Sequence, residues 1–389
     1  MRILLLEICF ENFGGYFRAY NIALELSKKG HFVKLVVPRK NGLIINKKRI
    51  NDHFLIIETT RCRIHTFFEF RFIRVLYNTC CVLFEKYDFI YGFVPVQPDT
   101  YIPLLIGKLL RKKVILDWDD FWQDPSIANA FLSGLPAKLL QKYLQFLETL
   151  IPGIIQNVTV ASEFLKLQCE KTQVRNILQI ENGVSTDGIG TFQKYASRVK
   201  LGIPENEKII ISIANTYPPC RVVTMIEALK YARAEDPHIR LYLNVDLRKY
   251  YFPDHYEIPD ELFKNIICTG YLQKDALYEH IVSADAALFS SDTKDAEKAC
   301  FPIRLTNYLY CGKPILTNAV GEARNLIARF GCGAAVDNLD YKGLGALMVK
   351  ACNDPEWLRE KENAAAHAAS CLSWSVIVQR LEQFMMSLY

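Results

Sequence analysis

The sequence predicts an α/β protein of two doubly wound, Rossmann-like domains facing an interdomain cleft. Three observations lead there. Short apolar runs of strand length alternate with runs whose apolar residues recur at helical spacing, the pattern of parallel sheets covered on both faces. That pattern breaks at a turn-rich segment, 181–190, and restarts near residue 209. The chain has 389 residues, half of them hydrophobic, which exceeds what one core usually holds.

The first domain opens with an apolar strand over 3–8. Gly14 and Gly15 interrupt the chain before a helix in which Ala19, Ile22, Ala23 and Leu26 share a face. Lys28, Lys29 and Gly30 close that helix, basic residues and then glycine, as its negative carbonyl end favours. A strand over 32–37 completes one βαβ unit. Further strands at 54–57, 89–91, 114–116 and 158–160, with helices near 101–111, 136–150 and 163–170, fill a domain spanning 1–183. A second domain spans 191–371, with strands at 209–214, 239–243, 266–268, 286–289, 315–317 and 334–336 and a helix through Met225, Ala228 and Leu229. A C-terminal helix, 374–389, is expected to pack back on the first domain. Sheets of this type bind ligands at the carboxyl ends of their strands.

Charge and cysteine usage narrow the class. Residues 1–190 carry 24 Lys and Arg against 18 Asp and Glu, while the rest carry 23 against 24. No recognition-helix, zinc-finger or RNA-binding signature accompanies the basic half, so no nucleic acid is expected and an anionic membrane surface is the better partner. Residues 66–86 interleave Phe67, Phe68, Phe70, Phe72, Ile73 and Leu76 with Arg71, Arg74 and Lys86, the composition of an interfacial helix; a core helix with solvated basic residues fits it nearly as well. The 12 cysteines show no C-x-x-C spacing and no histidine at zinc spacing, which points to a reduced, metal-free interior. Glu7 interrupts the apolar start after six residues, so the N-terminus reads as a buried strand rather than a signal segment. No run approaches the ~18 apolar residues of a membrane span. The expectation is a cytoplasmic protein, soluble or peripheral on the inner face of the membrane.

Several short motifs then occur in a telling order: Gly14-Gly15, Lys29-Gly30-His31-Phe32-Val33, Val160-Ala161-Ser162-Glu163-Phe164-Leu165, Asn182-Gly183-Val184, Thr269-Gly270-Tyr271-Leu272, and Pro302 through Gly312-Lys313-Pro314-Ile315. Together with Leu372-Ser373-Trp374-Ser375, they resemble glycosyltransferase family 4, whose GT-B enzymes usually transfer sugar with retention. The resemblance covers nearly the whole chain. It implies a first domain that binds a glycan or lipid-linked acceptor, a second that binds a nucleotide-sugar donor, and no metal or other cofactor.

The resemblance and the residues together nominate a site. A diphosphate leaving group needs its charge stabilised, and exposed N–H groups at helix starts do this well. Gly14 and Gly15 supply one such start, with Arg18 one turn on. The other begins at Pro302, whose missing N–H costs nothing in a first turn. Phe301, Ile303, Arg304 and Lys298 surround it. The family places an acidic pair eight positions apart across this helix start; here those positions are Ala299 and Asn307. Asn307 can still bond a ribose hydroxyl, and Asp295 and Glu297 lie just upstream, either as substitutes or as solvated loop charges. Of the family's basic pair, only Arg221 is basic here, and phosphate binding and a solvated helix face are equally open to it. In the first domain the strand 114–116 leads into Asp117-Trp118-Asp119-Asp120, where a catalytic role as base or charge stabiliser is expected of at least one carboxylate. The family commonly has a histidine near Asp119. A catalytically degenerate nucleotide-sugar binder is the alternative, motivated by the missing acidic pair.

Overall fold

The computed structural model describes residues 1–11, 14–40, 44–60, 72–186, 191–213, 219–249, 252 and 256–389. Phe67, Phe68, Phe70, Arg71 and the stretches 187–190 and 214–218 lie outside the described residues. The chain divides into two compact units: Met1–Asn182 with Ala299–Phe301 and Trp374–Tyr389, and Gly183–Lys298 with Pro302–Ser373.

Unit 1 holds an eight-stranded sheet of order β3-β4-β2-β1-β5-β6-β7-β8. The strands are β1 (Arg2–Leu6), β2 (Phe32–Pro38), β3 (Asn46–Asn51), β4 (Phe54–Thr59), β5 (Phe89–Phe93), β6 (Lys113–Trp118), β7 (Asn157–Val160) and β8 (Asn176–Gln179). All pairings are parallel except β3 with β4. β1, β5 and β6 are buried nearly throughout, as expected of central strands covered on both faces. β3 is different. Its Asn46, Lys47, Lys48 and Arg49 are exposed, and charged side chains on an edge strand discourage pairing with another chain.

Helices cover both faces of this sheet. α1 (Gly14–Lys28) buries Ala19, Ile22, Ala23 and Leu26 and packs beside the C-terminal helix. α2 (Phe72–Phe84), α3 (Pro98–Leu109), α4 (Pro125–Phe131), α5 (Gly134–Ile155) and α6 (Glu163–Lys171) follow in chain order. Ser162 caps α6, its hydroxyl accepting from the Leu165 N–H at 3.2 Å. The last helix of the chain, α16 (Trp374–Ser387), belongs to this unit. Its Glu382 pairs with Lys29 at 3.0 Å and with His31 at 2.6 Å, Arg380 reaches Glu181 at 3.1 Å, and Trp374 meets Phe17 edge-on.

Unit 2 has six parallel strands in the order β11-β10-β9-β12-β13-β14: β9 (Lys208–Ser212), β10 (Ile239–Leu243), β11 (Ile266–Cys268), β12 (Ala286–Phe289), β13 (Ile315–Thr317) and β14 (Gly333–Ala335). Around them lie α7 (Lys194–Leu201), α8 (Pro219–Glu235), α9 (Asp260–Phe263), α10 (Lys274–Ser283), α11 (Asp295–Ala299), α12 (Ile303–Tyr310), α13 (Glu322–Phe330), α14 (Tyr341–Asn353) and α15 (Pro355–Cys371). Val222, Met225, Ile226 and Leu229 of α8 pack with Leu344 and Met348 of α14 in one core over β9 and β10. Both sheets are therefore doubly wound and α/β. Among the described residues, no helix is long and apolar enough to cross a membrane.

Candidate active site

In unit 1 the sheet order runs from β1 through β2 and β4 one way and through β5 and β6 the other. The switch point, where such sheets bind ligands, lies at the carboxyl ends of β1 and β5. α1 starts there at the exposed Gly14. A Cβ on Gly15 would stand 2.9 Å from Glu7 Oε1 and 3.2 Å from Cys9 Sγ, so a side chain at this position would have to push the Glu7 carboxylate aside. At the end of β5, Val94 has φ of 70°, a left-handed conformation that costs a β-branched residue on the order of 1–3 kcal/mol. Its N–H donates to the Asp117 carbonyl at 2.9 Å, which ties this strained corner to β6.

Beneath the crevice is a buried ion pair. The Arg18 guanidinium donates to both Asp117 carboxylate oxygens at 3.1 Å, and also to the Ile180 carbonyl, the Glu181 carbonyl and Asn182 Oδ1. Tyr91 and Thr159 donate to Asp117 Oδ2 at 2.5 and 2.9 Å. Of the three expected carboxylates, Asp117 is thus wholly engaged inside the core and holds β6, α1 and the 180–182 segment together. Asn182 passes the contact on, its Nδ2 donating to the Phe301 carbonyl at 2.7 Å.

Three more carboxylates follow the carboxyl ends of β1 and β6: Asp119, Asp120 and one that the motifs do not include, Glu7. Glu7 is buried, its Oε1 accepts the N–H groups of Ile8 and Cys9 at 2.9 and 2.7 Å, and its Oε2 has no hydrogen-bond partner among the described residues. Asp119 Oδ1 is likewise buried and without one among the described residues, while Asp120 as a residue is exposed. Burial first, then the charges of Asp120 and Asp117, hold the Asp119 carboxyl well above the usual carboxylate range. Burial pushes Glu7 up to about 7, against the two backbone hydrogen bonds that lower it. Glu148 braces the following turn by accepting from Trp118 Nε1 and from the Trp122 and Gln123 N–H groups. Trp118 itself is core.

The raised Glu7 carboxyl has a consequence for stability. Its ordinary value is 4.5, so between that and about 7 the unfolded chain ionises while the folded one keeps the proton. Stability from this group is greatest below 4.5 and falls as pH rises towards 7, by at most about 1.4 kcal/mol per unit. Urea titrations across that window should show a shallower fall for Glu7→Gln than for the wild type; parallel curves would mean that Glu7 ionises normally.

Unit 2 has its own switch point, between β9 and β12. Pro302 caps α12 and Ile303 is its first residue. Arg304, in the first turn, lies over the Phe289 ring at the end of β12, 4.9 Å from the centroid, and forms no ion pair among the described residues. Tyr308 anchors the helix to the sheet, its hydroxyl accepting the Ile213 N–H at 2.9 Å. Asn307 is half-buried on the same helix, whereas Ala299 is fully buried and Phe301 nearly so. Lys298 pairs with Asp295 at 2.8 Å on the surface. The backbone of Lys298 also meets the loop after β13: Gly321 has φ of 66°, and a Cβ there would stand 2.7 Å from Lys298 Cα. Arg221 is buried rather than on a solvated helix face, and it pairs with Glu297. A cavity of about 230 Å³ beside it is lined by Arg221, Thr224, Ser291, Asp292, Asn338 and Tyr341. Among the described residues no group of three His, Cys, Asp or Glu side chains is placed to hold a metal ion.

Two doubly wound parallel-sheet units define the GT-B architecture, and this chain's fold matches glycosyltransferases of that class. Residues 193–369, most of unit 2, match the family model described as glycosyl transferases group 1. Sucrose-phosphate synthase from Thermosynechococcus elongatus aligns over 100% of this chain and 98% of its own at 15% identity and a TM-score of 0.69. WaaG, a glycosyltransferase involved in lipopolysaccharide biosynthesis, aligns over 99% of each chain with the same identity and score. Anabaena Alr3699/HepE, solved in complex with UDP and glucose, aligns over the whole of both chains, again at 15% and 0.69. No curated protein sequence matches.

Proposed function

We propose that the protein is a glycosyltransferase moving a sugar from a nucleotide-sugar donor, a uridine diphosphate sugar, onto a glycan or lipid-linked acceptor. The observation that carries this is that the group 1 match at 193–369 covers the part of unit 2 that holds the start of α12, Arg304 and the Arg221 cavity. In this reading the N–H groups at the start of α12 and the Arg304 guanidinium take up the charge of the leaving diphosphate without a metal ion. Lys298 is near enough in sequence to add to them, and Asn307 bonds the ribose. As the sugar–phosphate bond breaks, the anomeric carbon gains a bond to the acceptor oxygen. Asp119, in unit 1, takes the proton of that hydroxyl or steadies the positive charge on the sugar, and transfer proceeds with retention. The acceptor is met at the cytoplasmic face of a membrane, in keeping with the basic first half.

A second reading, a nucleotide-sugar binder without transfer activity, is favoured by one observation: Ala299 is fully buried where the resemblance calls for an acid near the sugar.

A thermal-shift panel of UDP-, GDP-, dTDP- and ADP-sugars tests the donor site, since a ligand at 100 times its Kd stabilises by about 2.7 kcal/mol. A UDP-sugar should raise the melting temperature, and Arg304→Ala should lose that shift while melting normally without ligand. If no nucleotide sugar stabilises the protein, the proposal fails; an undiminished shift in Arg304→Ala removes that residue from the site.

A further inference from the structure

Helix α5 is apolar on two opposite faces. Leu144, Leu147, Ile151 and Ile155 are buried in the core with the sheet, and Ala137 is buried as well. Leu135, Leu139, Tyr143, Phe146, Leu150 and Ile154 follow one another at steps of three or four, forming one stripe about 28 Å long. That stripe faces solvent, with exposures from 39% at Leu150 to 69% at Leu135. A surface helix normally fills such a face with charged residues, and contiguous apolar exposure on this scale marks an interaction surface.

The neighbouring helices extend it. α2 turns polar side chains inward beside Cys81 and Val82: Arg74 is buried against Asp99 and Asn78 donates to the Asp99 carbonyl at 2.7 Å, while Leu76 and Phe84 are exposed. Arg74, expected on a basic surface, is therefore part of the interior. α3 lies between α2 and α5 and ends in the exposed Leu109, followed by the exposed Leu110. Tyr101 and Tyr143 hydroxyls meet at 3.4 Å, and Lys108 Nζ donates to the Ile155 carbonyl at 3.0 Å.

Charge decides what covers this surface. The acids of α2, α3 and α5 are Asp99 and Glu148, and both are buried. Lys138 and Lys142 are exposed along one side of the stripe, and Arg111 beyond the end of α3. Apposing two copies of this surface would bring these cations together with no carboxylate on the three helices to answer them. An anionic headgroup layer answers them directly, and its acyl boundary takes the stripe.

We propose that the outward face of α5, with those of α2 and the end of α3, is the docking surface for an anionic lipid bilayer. The stripe lies in the interface between headgroups and acyl chains, and Lys138, Lys142 and Arg111 contact lipid phosphates. This rests on the membrane part of the proposed function. Its test uses no sugar, so its failure leaves the transfer reading standing.

Sedimentation of the full chain with vesicles of phosphatidylcholine, alone or mixed with phosphatidylglycerol, provides the test. The protein should pellet with the mixed vesicles and not the neutral ones, and less so as salt rises. Leu139→Glu with Phe146→Glu should cut binding at least about tenfold, as should Lys138→Glu with Lys142→Glu. All four side chains face solvent, so folding should survive, as circular dichroism will show; if the Leu139/Phe146 variant unfolds, the lysine variant decides. A wild type left in the supernatant with both vesicles overturns the inference, as does undiminished pelleting of the folded variants. A dimer in light scattering that the Leu139/Phe146 variant dissolves would assign the stripe to a second copy instead.

Discussion

Arg18→Ala should lower the stability of the protein by about 3–5 kcal/mol, the usual cost of stripping one partner from a buried ion pair. The guanidinium is fully buried and makes five hydrogen bonds to Asp117, Asn182 and the carbonyls of Ile180 and Glu181. Without it the Asp117 carboxylate, fully buried, keeps Tyr91 and Thr159 as its side-chain donors among the described residues. Arg18→Lys should recover little, because an ammonium cannot reproduce the planar fork that binds both carboxylate oxygens. Thermal unfolding would register the loss as a melting-point drop on the order of 10 °C. A drop of a degree or two would mean that the pair contributes little and that the core around it reorganises.

Asp119→Asn should reduce turnover by about 10²-fold or more while leaving donor affinity unchanged, the scale of a lost general acid–base or charge-stabilising group. The substitution keeps size and hydrogen-bonding capacity but removes the ionisable proton. Asp120, exposed beside it, serves as the comparison, and Asp120→Asn should cost far less. Variants at Asp117 do not belong in this series, since their effect would come through the buried pair with Arg18. Near-normal turnover in Asp119→Asn, with reduced turnover in Asp120→Asn or Glu7→Gln, would move the chemistry to the neighbouring carboxylate.

Much of the fold was legible because central parallel strands are apolar runs. The strands over 239–243, 266–268, 286–289 and 315–317 have the residue limits that the sequence suggests. Edge strands lack that signal. β3, with Asn46, Lys47, Lys48 and Arg49, is polar on both faces, and β8 is only half-buried, so neither stands out from a loop. The candidate site was legible as positions rather than as interactions. Gly14, Gly15 and the Asp117-to-Asp120 turn follow strands, which is a local signal. That Asp117 binds Arg18, 99 residues earlier, is a property of the folded sheet order. Glu7 was visible only as a charge ending an apolar run; its place at the carboxyl end of a central parallel strand was the available clue. For α5 the difficulty is geometric, because a helix apolar on two faces does not disclose which one the sheet will take.

The most direct measurement is mass-spectrometric detection of product with UDP-sugars and lipid-linked or free glycan acceptors. The wild type should release UDP and add one sugar mass to an acceptor, without added metal, and Asp119→Asn should form that product at least about 10²-fold more slowly. Binding of a UDP-sugar with no sugar transferred to any acceptor, at equal background rates in both proteins, would contradict catalysis and leave a nucleotide-sugar binder.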